Sequence, residues 1–345
     1  MSAVRTGLGL TLLASALAAC GDDEPTPSNQ QLVYVEQTAG GNPGGRIVRV
    51  AADGGQRKIL WEMPSGSTTP LSASLYPSTS GATVLVLQYD PSGWFTLPSN
   101  GGAAATFSPP ENAGAPQWSP DASLIAWLVG DSPRLGVATL GSTSITMLTP
   151  DSIIAQRYQW SPDGAQFVFE GQVVGTSSYR IFTIARSGGD VRPLTTDANY
   201  QDAAPAWSPD GEWVAFLREN NGIWLVRPDG SETHSLSTGV FDLAAGLSWS
   251  PDGTELMAVL TGRGLTRVPF ATGQQNSIGH LGPINGTNPW SPDGTRITFL
   301  GRTPPDINGN TGPSVVVASP DATDPVQVSP DSVYGSGQSW LPPVR

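Results

Sequence analysis

Apolar residues in this chain lie in short runs rather than in a helical pattern. From Leu32 onward, runs rich in β-branched and aromatic residues alternate with turns made of Gly, Pro, Asp and Asn. No segment has the apolar period of about 3.6 residues that an amphipathic helix requires. The pattern therefore predicts a succession of short β-strands joined by tight turns.

The segment from Ala204 to Ser237 contains one predicted unit in full. A first strand ends at Trp207, a turn follows, and a second strand runs from Glu212 to Leu217. The second strand is apolar on both faces, which is expected for a sheet packed between two neighbouring sheets. A third strand, Ile223 to Arg227, and a fourth, around Thr233 to Leu236, complete the unit.

The turn after the first strand belongs to a pentapeptide that occurs five times along the chain. Each copy reads Trp-Ser-Pro-Asp-Gly, except that the first has Ala122 in place of Gly. The copies begin at Trp118, Trp160, Trp207, Trp249 and Trp290. Their spacings of 42, 47, 42 and 41 residues are typical of stacked supersecondary units.

Each residue of the motif has a structural reason. Pro and Asp favour a type I turn, and Gly accepts the left-handed conformation that closes the hairpin. The Trp ring offers a large surface for packing on the next sheet. We therefore interpret the repeated aspartates as turn residues rather than metal ligands: Asp121, Asp163, Asp210, Asp252 and Asp293.

Two weaker copies set the number of units. Leu75 to Ser78 resembles the motif, and Ser339 to Pro342 supplies a further first strand around Trp340. Three N-terminal strands lack a first strand: Leu32 to Glu36, Arg46 to Val50 and Arg57 to Leu60. The predicted fold is all-β: a seven-bladed β-propeller of four-stranded antiparallel blades, closed by pairing of the N- and C-terminal strands. Six blades, without the Tyr76 copy, are the alternative. Pro193, in a predicted fourth strand, suits an outer edge.

Composition and charge narrow the class of partner. The chain has 41 Gly and 32 Pro in 345 residues, with 38% hydrophobic residues and 11 Trp, which suits a globular protein rich in turns. The formal net charge is −12. Because nucleic-acid binding requires clustered Lys and Arg, we expect no nucleic-acid partner.

The N-terminal residues resemble a bacterial lipoprotein signal. Arg5 precedes an apolar run, and Leu17-Ala18-Ala19-Cys20 ends it with small residues before the chain's single cysteine. This resemblance implies a signal peptide over residues 1–19 and acylation of Cys20, which would anchor the protein to a membrane of the bacterial envelope. A plain secretory signal with an incidental cysteine is the alternative. Residues 20–31 are predicted to be a flexible tether, and residues 32–345 a single propeller domain.

The repeats resemble a known family. Trp-Ser-Pro-Asp-Gly followed by an apolar strand, a turn such as Arg227-Pro228-Asp229-Gly230 and an ending such as Arg192-Pro193-Leu194-Thr195 are similar to the WD40-like Pro-Asp (PD40) repeat of TolB-type propellers. The resemblance covers roughly residues 32 to 342. It implies a protein-binding platform in the cell envelope, either periplasmic or exposed at the outer membrane.

Enzymatic readings find little support in the sequence. Peptidases with similar propellers add a hydrolase domain with a Gly-x-Ser-x-Gly motif, which this chain lacks. Oligogalacturonate lyases, which resemble these propellers, hold a metal with clustered histidines, whereas this chain has only His234 and His280. Asp306 to Asn310 begins like a calcium loop but lacks its closing carboxylate. We expect no cofactor, no metal and no enzymatic activity; a cryptic lyase or hydrolase is an alternative.

The loops that enter the first strands and those between second and third strands should share one face of a propeller. Functional residues tend to lie in such loops. We predict a protein-binding face there, formed by Arg157, Tyr158, Tyr200, Gln201, Asp202, Asp242, Asn288 and Tyr334. A glycan-binding module that uses Trp61 or Trp94 is a further alternative.

Overall fold

A computed structural model of the chain describes residues 30–38, 44–90, 92–142, 144–279, 288–302, 313–329 and 333–342. These residues form short antiparallel strands, turns and loops, with no helix among them. Within the same ranges, no helix is therefore long and apolar enough to cross a bilayer. The strands form seven separate sheets, each of which is one blade.

Blades 1 to 4 each contain four strands. Blade 1 consists of β27 (Val333–Leu341), β1 (Gln31–Thr38), β2 (Gly45–Ala51) and β3 (Lys58–Glu62). Blade 2 consists of β4 (Ala73–Pro77), β5 (Thr83–Tyr89), β6 (Ser92–Pro98) and β7 (Ala105–Phe107). Blade 3 consists of β8 (Gln117–Trp118), β9 (Ile125–Val129), β10 (Arg134–Ala138) and β11 (Thr146–Met147). Blade 4 consists of β12 (Ile153–Trp160), β13 (Gln166–Val173), β14 (Tyr179–Ala185) and β15 (Arg192–Pro193).

Blades 5 to 7 continue the same order. Blade 5 consists of β16 (Asp202–Trp207), β17 (Val214–Arg218), β18 (Gly222–Val226) and β19 (Thr233–Ser237). Blade 6 consists of β20 (Leu247–Trp249), β21 (Glu255–Leu260), β22 (Gly264–Pro269) and β23 (Asn276–Gly279). Blade 7 consists of β24 (Ile297–Arg302), β25 (Pro313–Ala318) and β26 (Val326–Gln327). At the place of the first strand in blade 7, the described residues form a bridge from Trp290 to Ile297.

The two ends of the chain pair with each other. In blade 1, β27 is antiparallel to β1, with Trp340 opposite Leu32 and Tyr334 opposite Gln37. The degenerate copy around Tyr76 forms β4 of a complete blade 2. The predicted seven-bladed propeller with end-to-end closure is therefore confirmed, and the six-bladed alternative is wrong.

Neighbouring blades are held together by apolar side chains on both of their faces. One buried cluster joins Leu135 of blade 3 to Phe167 of blade 4, and another joins Leu225 of blade 5 to Leu256 of blade 6. Burial of each such side chain contributes roughly 1.5–3 kcal/mol. The apolar character of both strand faces thus reflects sheets packed on two sides.

Strand direction gives the propeller two distinct faces. First strands of successive blades contact each other around the centre, as β12 and β16 do. Each first strand ends at the motif turn, so the five motif turns lie on one face, which we call the lower face. The connections into the first strands and the hairpins between second and third strands lie on the opposite, upper face.

Candidate functional site

A cavity of about 320 Å³ lies at the upper face where blades 4, 5 and 6 meet. Its volume is at the lower end of the range for ligand pockets, roughly 300–1,000 Å³. The lining residues come from β12, β13 and β14, from the start of β16 and from the connection into β20. They are Arg157, Glu170, Tyr179, Gln201, Ala203, Leu243 and Ala244.

Two irregular first strands shape this cavity. The register of β12 shifts between Ala155 and Tyr158, and that of β16 shifts between Ala203 and Ala206. Within the second irregularity, Ala204 adopts a φ of 51°, which is rare for a residue with a side chain. Bulges re-aim side chains and backbone groups, and here they direct Arg157 and the Ala204 N–H toward the cavity.

Glu170 supplies the cavity with a buried carboxylate. It lies in the apolar strand β13 and is 6% exposed. The backbone N–H of Ala204 donates a hydrogen bond of 3.1 Å to Glu170 Oε2. Burial raises the pKa of Glu170, while this hydrogen bond and the charge of Arg157 oppose the rise. Loss of hydration is thus the dominant influence on this carboxyl group.

Arg157 spans the cavity from blade 4 to the connection that enters blade 6. Its guanidinium donates hydrogen bonds to the carbonyl oxygens of Leu243 and Ala244. Its Nη1 lies 3.8 Å from Glu170 Oε2, which is an ion pair without a hydrogen bond. The Asp242 carboxylate accepts a 2.8 Å hydrogen bond from the Ala244 N–H, which holds this connection in a tight turn.

The outer rim of the cavity is a polar network. Gln201 Oε1 accepts a 2.6 Å hydrogen bond from the Tyr179 N–H, and Gln201 Nε2 donates to the Ser177 carbonyl at 3.2 Å. The Tyr179 hydroxyl accepts a 2.7 Å hydrogen bond from Gln156 Nε2. These bonds fix the two side chains in place, and the Tyr179 O–H proton is left for another acceptor.

Glu170 and Arg157 both depart from the repeat pattern. Ten residues after the motif Trp, the five copies have Leu128, Glu170, Leu217, Val259 and Leu300. Three residues before it, they have Ala115, Arg157, Ala204, Gly246 and Thr287. Blade 4 is therefore charged at two positions where the other copies are uncharged, and the two charges meet in one cavity. Aligning the repeats could have found Glu170, which reading the chain linearly missed.

The predicted protein-binding residues fall into three groups: those at the cavity, those elsewhere on the propeller, and those that are packed between blades. Arg157 and Gln201 line the cavity, and Asp242 shapes its edge. Asn288 is exposed, and its side-chain oxygen accepts a hydrogen bond from the Trp290 N–H. Tyr334 lies in β27 of blade 1, away from this cavity.

Three of the predicted residues serve packing in the structure. Tyr158 is buried, with its hydroxyl 2.7 Å from the Ala126 carbonyl oxygen of blade 3. Asp202 is fully buried and accepts two hydrogen bonds from Arg218, at 2.7 and 2.9 Å. Tyr200 packs over the same guanidinium, 5.1 Å from its ring centroid. Arg157, Gln201, Asp242 and Asn288 are therefore exposed or partly exposed predicted residues that are not taken up by packing between blades.

The motif residues occupy the lower face and the blade interfaces. Asp163 Oδ1 accepts hydrogen bonds from the Ser161 hydroxyl and the Ala165 N–H, at 2.6 and 2.9 Å. The Ser161 bond lowers the pKa of Asp163. The same Ser-to-Asp bond occurs in all five copies, at Asp121, Asp163, Asp210, Asp252 and Asp293. Each of these carboxylates therefore stabilises its own turn, and Asp121 also accepts a 3.0 Å hydrogen bond from Arg186 of blade 4.

Of the tryptophans and histidines that were candidates for glycan or metal binding, those among the described residues lie outside the cavity. Trp61 packs on Phe95, and Trp94 lies between Tyr76 and Phe107, so both indoles are partly buried. His234 meets Trp213 edge to face. Outside the described residues lie Cys20, His280 and Asp306 to Asn310. In the described ranges, no three His, Cys, Asp or Glu side chains are grouped as a metal site would require.

Residues 99–267 match the family model for the TolB beta propeller domain. The uncharacterized protein Atu1656 of Agrobacterium fabrum is 27% identical over 208 residues, which are 53% of this chain and 67% of that protein. The Tol-Pal system protein TolB 1 of Novosphingobium aromaticivorans is 39% identical over 64 residues, 17% of this chain and 14% of that protein. The chain thus spans only a small part of this second relative.

Solved structures share the fold at low sequence identity. TolB from Acinetobacter baumannii aligns with a TM-score of 0.55 at 16% identity, over 92% of this chain and 68% of TolB. An oligogalacturonate lyase from Vibrio parahaemolyticus aligns with a TM-score of 0.55 at 15% identity, over 77% of this chain and 82% of the lyase. A puromycin-hydrolyzing peptidase of Mycobacterium tuberculosis aligns with a TM-score of 0.56 at 15% identity, over 81% of this chain and 46% of the peptidase. Together with the family match, these likenesses support a PD40, TolB-like β-propeller domain.

Proposed function

We propose that this TolB-like propeller is a non-catalytic scaffold of the bacterial envelope, anchored through an acylated Cys20, that binds a protein partner on its upper face. The observation that carries the proposal is the cavity at blades 4 to 6, where Arg157 and Glu170 break the repeat pattern. A repeat protein can keep its fold with uncharged residues at these positions, as its other copies do. Charges placed only there favour a role in binding.

Exposed apolar residues favour the same face. Among the described residues, the large hydrophobic side chains that are exposed are Ile59, Tyr89, Leu140, Val173, Val174, Val240 and Val326. Tyr89, Val173 and Val174 lie at hairpins between second and third strands, and Val240 lies in the connection into blade 6. All four belong to the upper face. Exposed apolar side chains on one face are typical of protein-binding surfaces.

The comparisons support the scaffold in general terms. The family model describes a propeller domain of TolB, and one relative is a Tol-Pal system protein. This kinship and the lipoprotein-like signal together favour an envelope location. The lyase and the peptidase share only the fold at 15% identity.

The cavity chemistry favours binding over catalysis. Among the described residues, one carboxylate lines it, Glu170, and its Oε2 accepts a hydrogen bond from the Ala204 N–H. Acid–base chemistry on a sugar or peptide commonly uses a second positioned acid or base. Turnover of oligogalacturonate or of an aminoacyl amide by the purified protein, lost in Glu170→Gln, would contradict the non-catalytic proposal.

Site-specific photocrosslinking in cells tests the proposed face. A photoreactive residue at Val174 of the upper face should capture an envelope protein, whereas the same residue at Leu140, an exposed apolar position of the lower face, should not. The Cys20→Ser variant should lose membrane attachment. Capture from Leu140 alone, or from neither position, would overturn the assignment of the upper face.

A further inference from the structure

Glu170 has unused capacity to accept hydrogen bonds. A carboxylate offers about four acceptor sites, yet the described residues supply one donor, the Ala204 N–H at Oε2. No described residue donates to Oε1. The side chain is 7% exposed and lines the cavity, so a donor that enters the cavity can reach this carboxylate, and a hydrogen bond to a charged group is among the stronger ones.

Arg157 does not satisfy this carboxylate. Its Nη1 is 3.8 Å from Glu170 Oε2, beyond hydrogen-bond distance. Its guanidinium N–H groups are directed to the carbonyl oxygens of Leu243 and Ala244. Arg157 therefore links β12 to the connection into blade 6, and Glu170 can accept a hydrogen bond from a further donor.

The remaining walls fit a long side chain with a polar end. Leu243, Ala203 and Ala244 are apolar and line the cavity together with Glu170. The Tyr179 oxygen, which already accepts from Gln156, has a second lone pair available. Lys and Arg side chains combine an aliphatic stem with a charged head that carries several donors.

We propose that the cavity binds one lysine or arginine side chain of the partner protein, with its cationic head on Glu170 and its aliphatic stem against Leu243 and Ala203. This inference rests on the proposed protein-binding function and names the chemistry of that contact. The net charge of −12 would also draw a basic segment toward the propeller. An acidic side chain is disfavoured because it would approach Glu170 while Arg157 is already bonded to two carbonyl groups.

Binding should depend on pH in a defined direction. The charged and titratable groups that face Glu170 are Arg157 from β12 and Tyr179 from β14, with Asp242 at the rim. Because burial raises the pKa of Glu170, its carboxylate becomes protonated at a higher pH than an exposed glutamate does. A cationic probe should therefore bind at neutral pH and weaken as the pH falls through this raised pKa.

Three short peptides test the proposal on the full-length chain. The peptide acetyl-Gly-Lys-Gly-amide should perturb nuclear magnetic resonance signals of Tyr179 and Leu243 at millimolar concentration. The norleucine peptide, which has a similar stem without the charge, and the glutamate peptide should bind at least tenfold more weakly. Equal binding of the lysine and norleucine peptides, tighter binding of the glutamate peptide, or no binding of the lysine peptide would overturn the proposal.

A pair of charge-neutralising variants locates the contact. Glu170→Gln should lower the affinity for the lysine peptide roughly ten- to hundredfold, because a hydrogen bond to a charged group is lost. Glu219→Gln, an exposed acid on the upper hairpin of blade 5, removes the same charge and should change affinity less than about twofold. Equal losses in both variants would indicate general attraction and refute the cavity. Thermal melting of each variant verifies that the fold is intact.

The two proposals can fail separately. Crosslinking from Val174 without any lysine-peptide binding would retain the upper-face scaffold and reject the cationic site. Lysine-peptide binding that depends on Glu170, combined with crosslinking only from Leu140, would retain the site and reject the proposed face.

Discussion

At the scale of single residues, similar charge pairs have different roles. Asp202 and Arg218 are both buried and joined by two hydrogen bonds, and the guanidinium also lies 4.4 Å from the ring centroid of Trp224. Every formal charge in this pair has a close partner. Arg157 and Glu170 instead stand 3.8 Å apart in an open cavity. The first arrangement is typical of a structural element, and the second of a binding site.

Removing Arg218 should strongly destabilise the propeller. Arg218→Ala leaves the Asp202 carboxylate buried without its partner, so we expect a loss of about 3–5 kcal/mol in the free energy of unfolding. Asp151→Ala breaks the surface pair with Arg134 and should cost less than about 1 kcal/mol. Chemical denaturation of both variants measures the difference. Equal, small losses would show that the Asp202–Arg218 pair is not structural.

At the scale of elements, four Trp residues at the ends of first strands donate an indole hydrogen bond to the preceding blade. The indole N–H of Trp249 donates to the Ala206 carbonyl oxygen at 3.0 Å, and that of Trp340 donates to the Pro289 carbonyl oxygen at 2.9 Å. Trp118 and Trp160 make corresponding bonds. For Trp207 and Trp290, no acceptor of the indole N–H occurs among the described residues. In three of its five copies, the motif thus combines a hairpin turn with a hydrogen bond to the preceding blade.

Two matched substitutions isolate this link. Trp249→Phe should reduce the free energy of unfolding by about 1–3 kcal/mol more than Trp207→Phe, because only the former leaves a buried carbonyl without its donor. Both substitutions remove a similar area of buried aromatic surface, since both indoles are almost fully buried. Denaturant melts of the two variants give the comparison. A larger loss in Trp207→Phe would assign the effect to ring packing alone.

At the scale of the whole molecule, closure depends on one strand. β27 joins blade 1 through its pairing with β1 and also contacts β4 of blade 2 and β24 of blade 7. Trp340 and Leu341 of this strand are buried. Because the strand comes from the far end of the chain, the ring is complete only when the last residues have been placed.

Deleting residues 333–345 should open the ring. Loss of the buried Trp340 alone removes about 3–5 kcal/mol, so the melting temperature should fall by roughly 10 °C or more. A synthetic peptide of these residues should restore it with increasing concentration, and the same peptide with Trp340→Ser should restore it less. An unchanged melting temperature after deletion would contradict closure by β27.

The sequence by itself determined the blade number and the closure. A five-residue turn that recurs every 41 to 47 residues is local chemistry, so Trp340 and Tyr76 could be recognised as further copies without any coordinates. Strand ends differ from the prediction: the predicted strand Glu212 to Leu217 is Val214–Arg218 in the structure. Turn residues locate a hairpin, but register depends on the partner strand.

Only the tertiary structure decided which loop residues are accessible at the surface. Asp202 and Arg157 both lie in a first strand, a few residues before its motif Trp, yet one is fully buried and the other lines a cavity. The hydrogen-bond donor to Glu170 is the N–H of Ala204, which lies 34 residues away in the next blade. A repeat specifies contacts within a blade through nearby residues, whereas burial and charge pairing between blades depend on how distant segments are brought together.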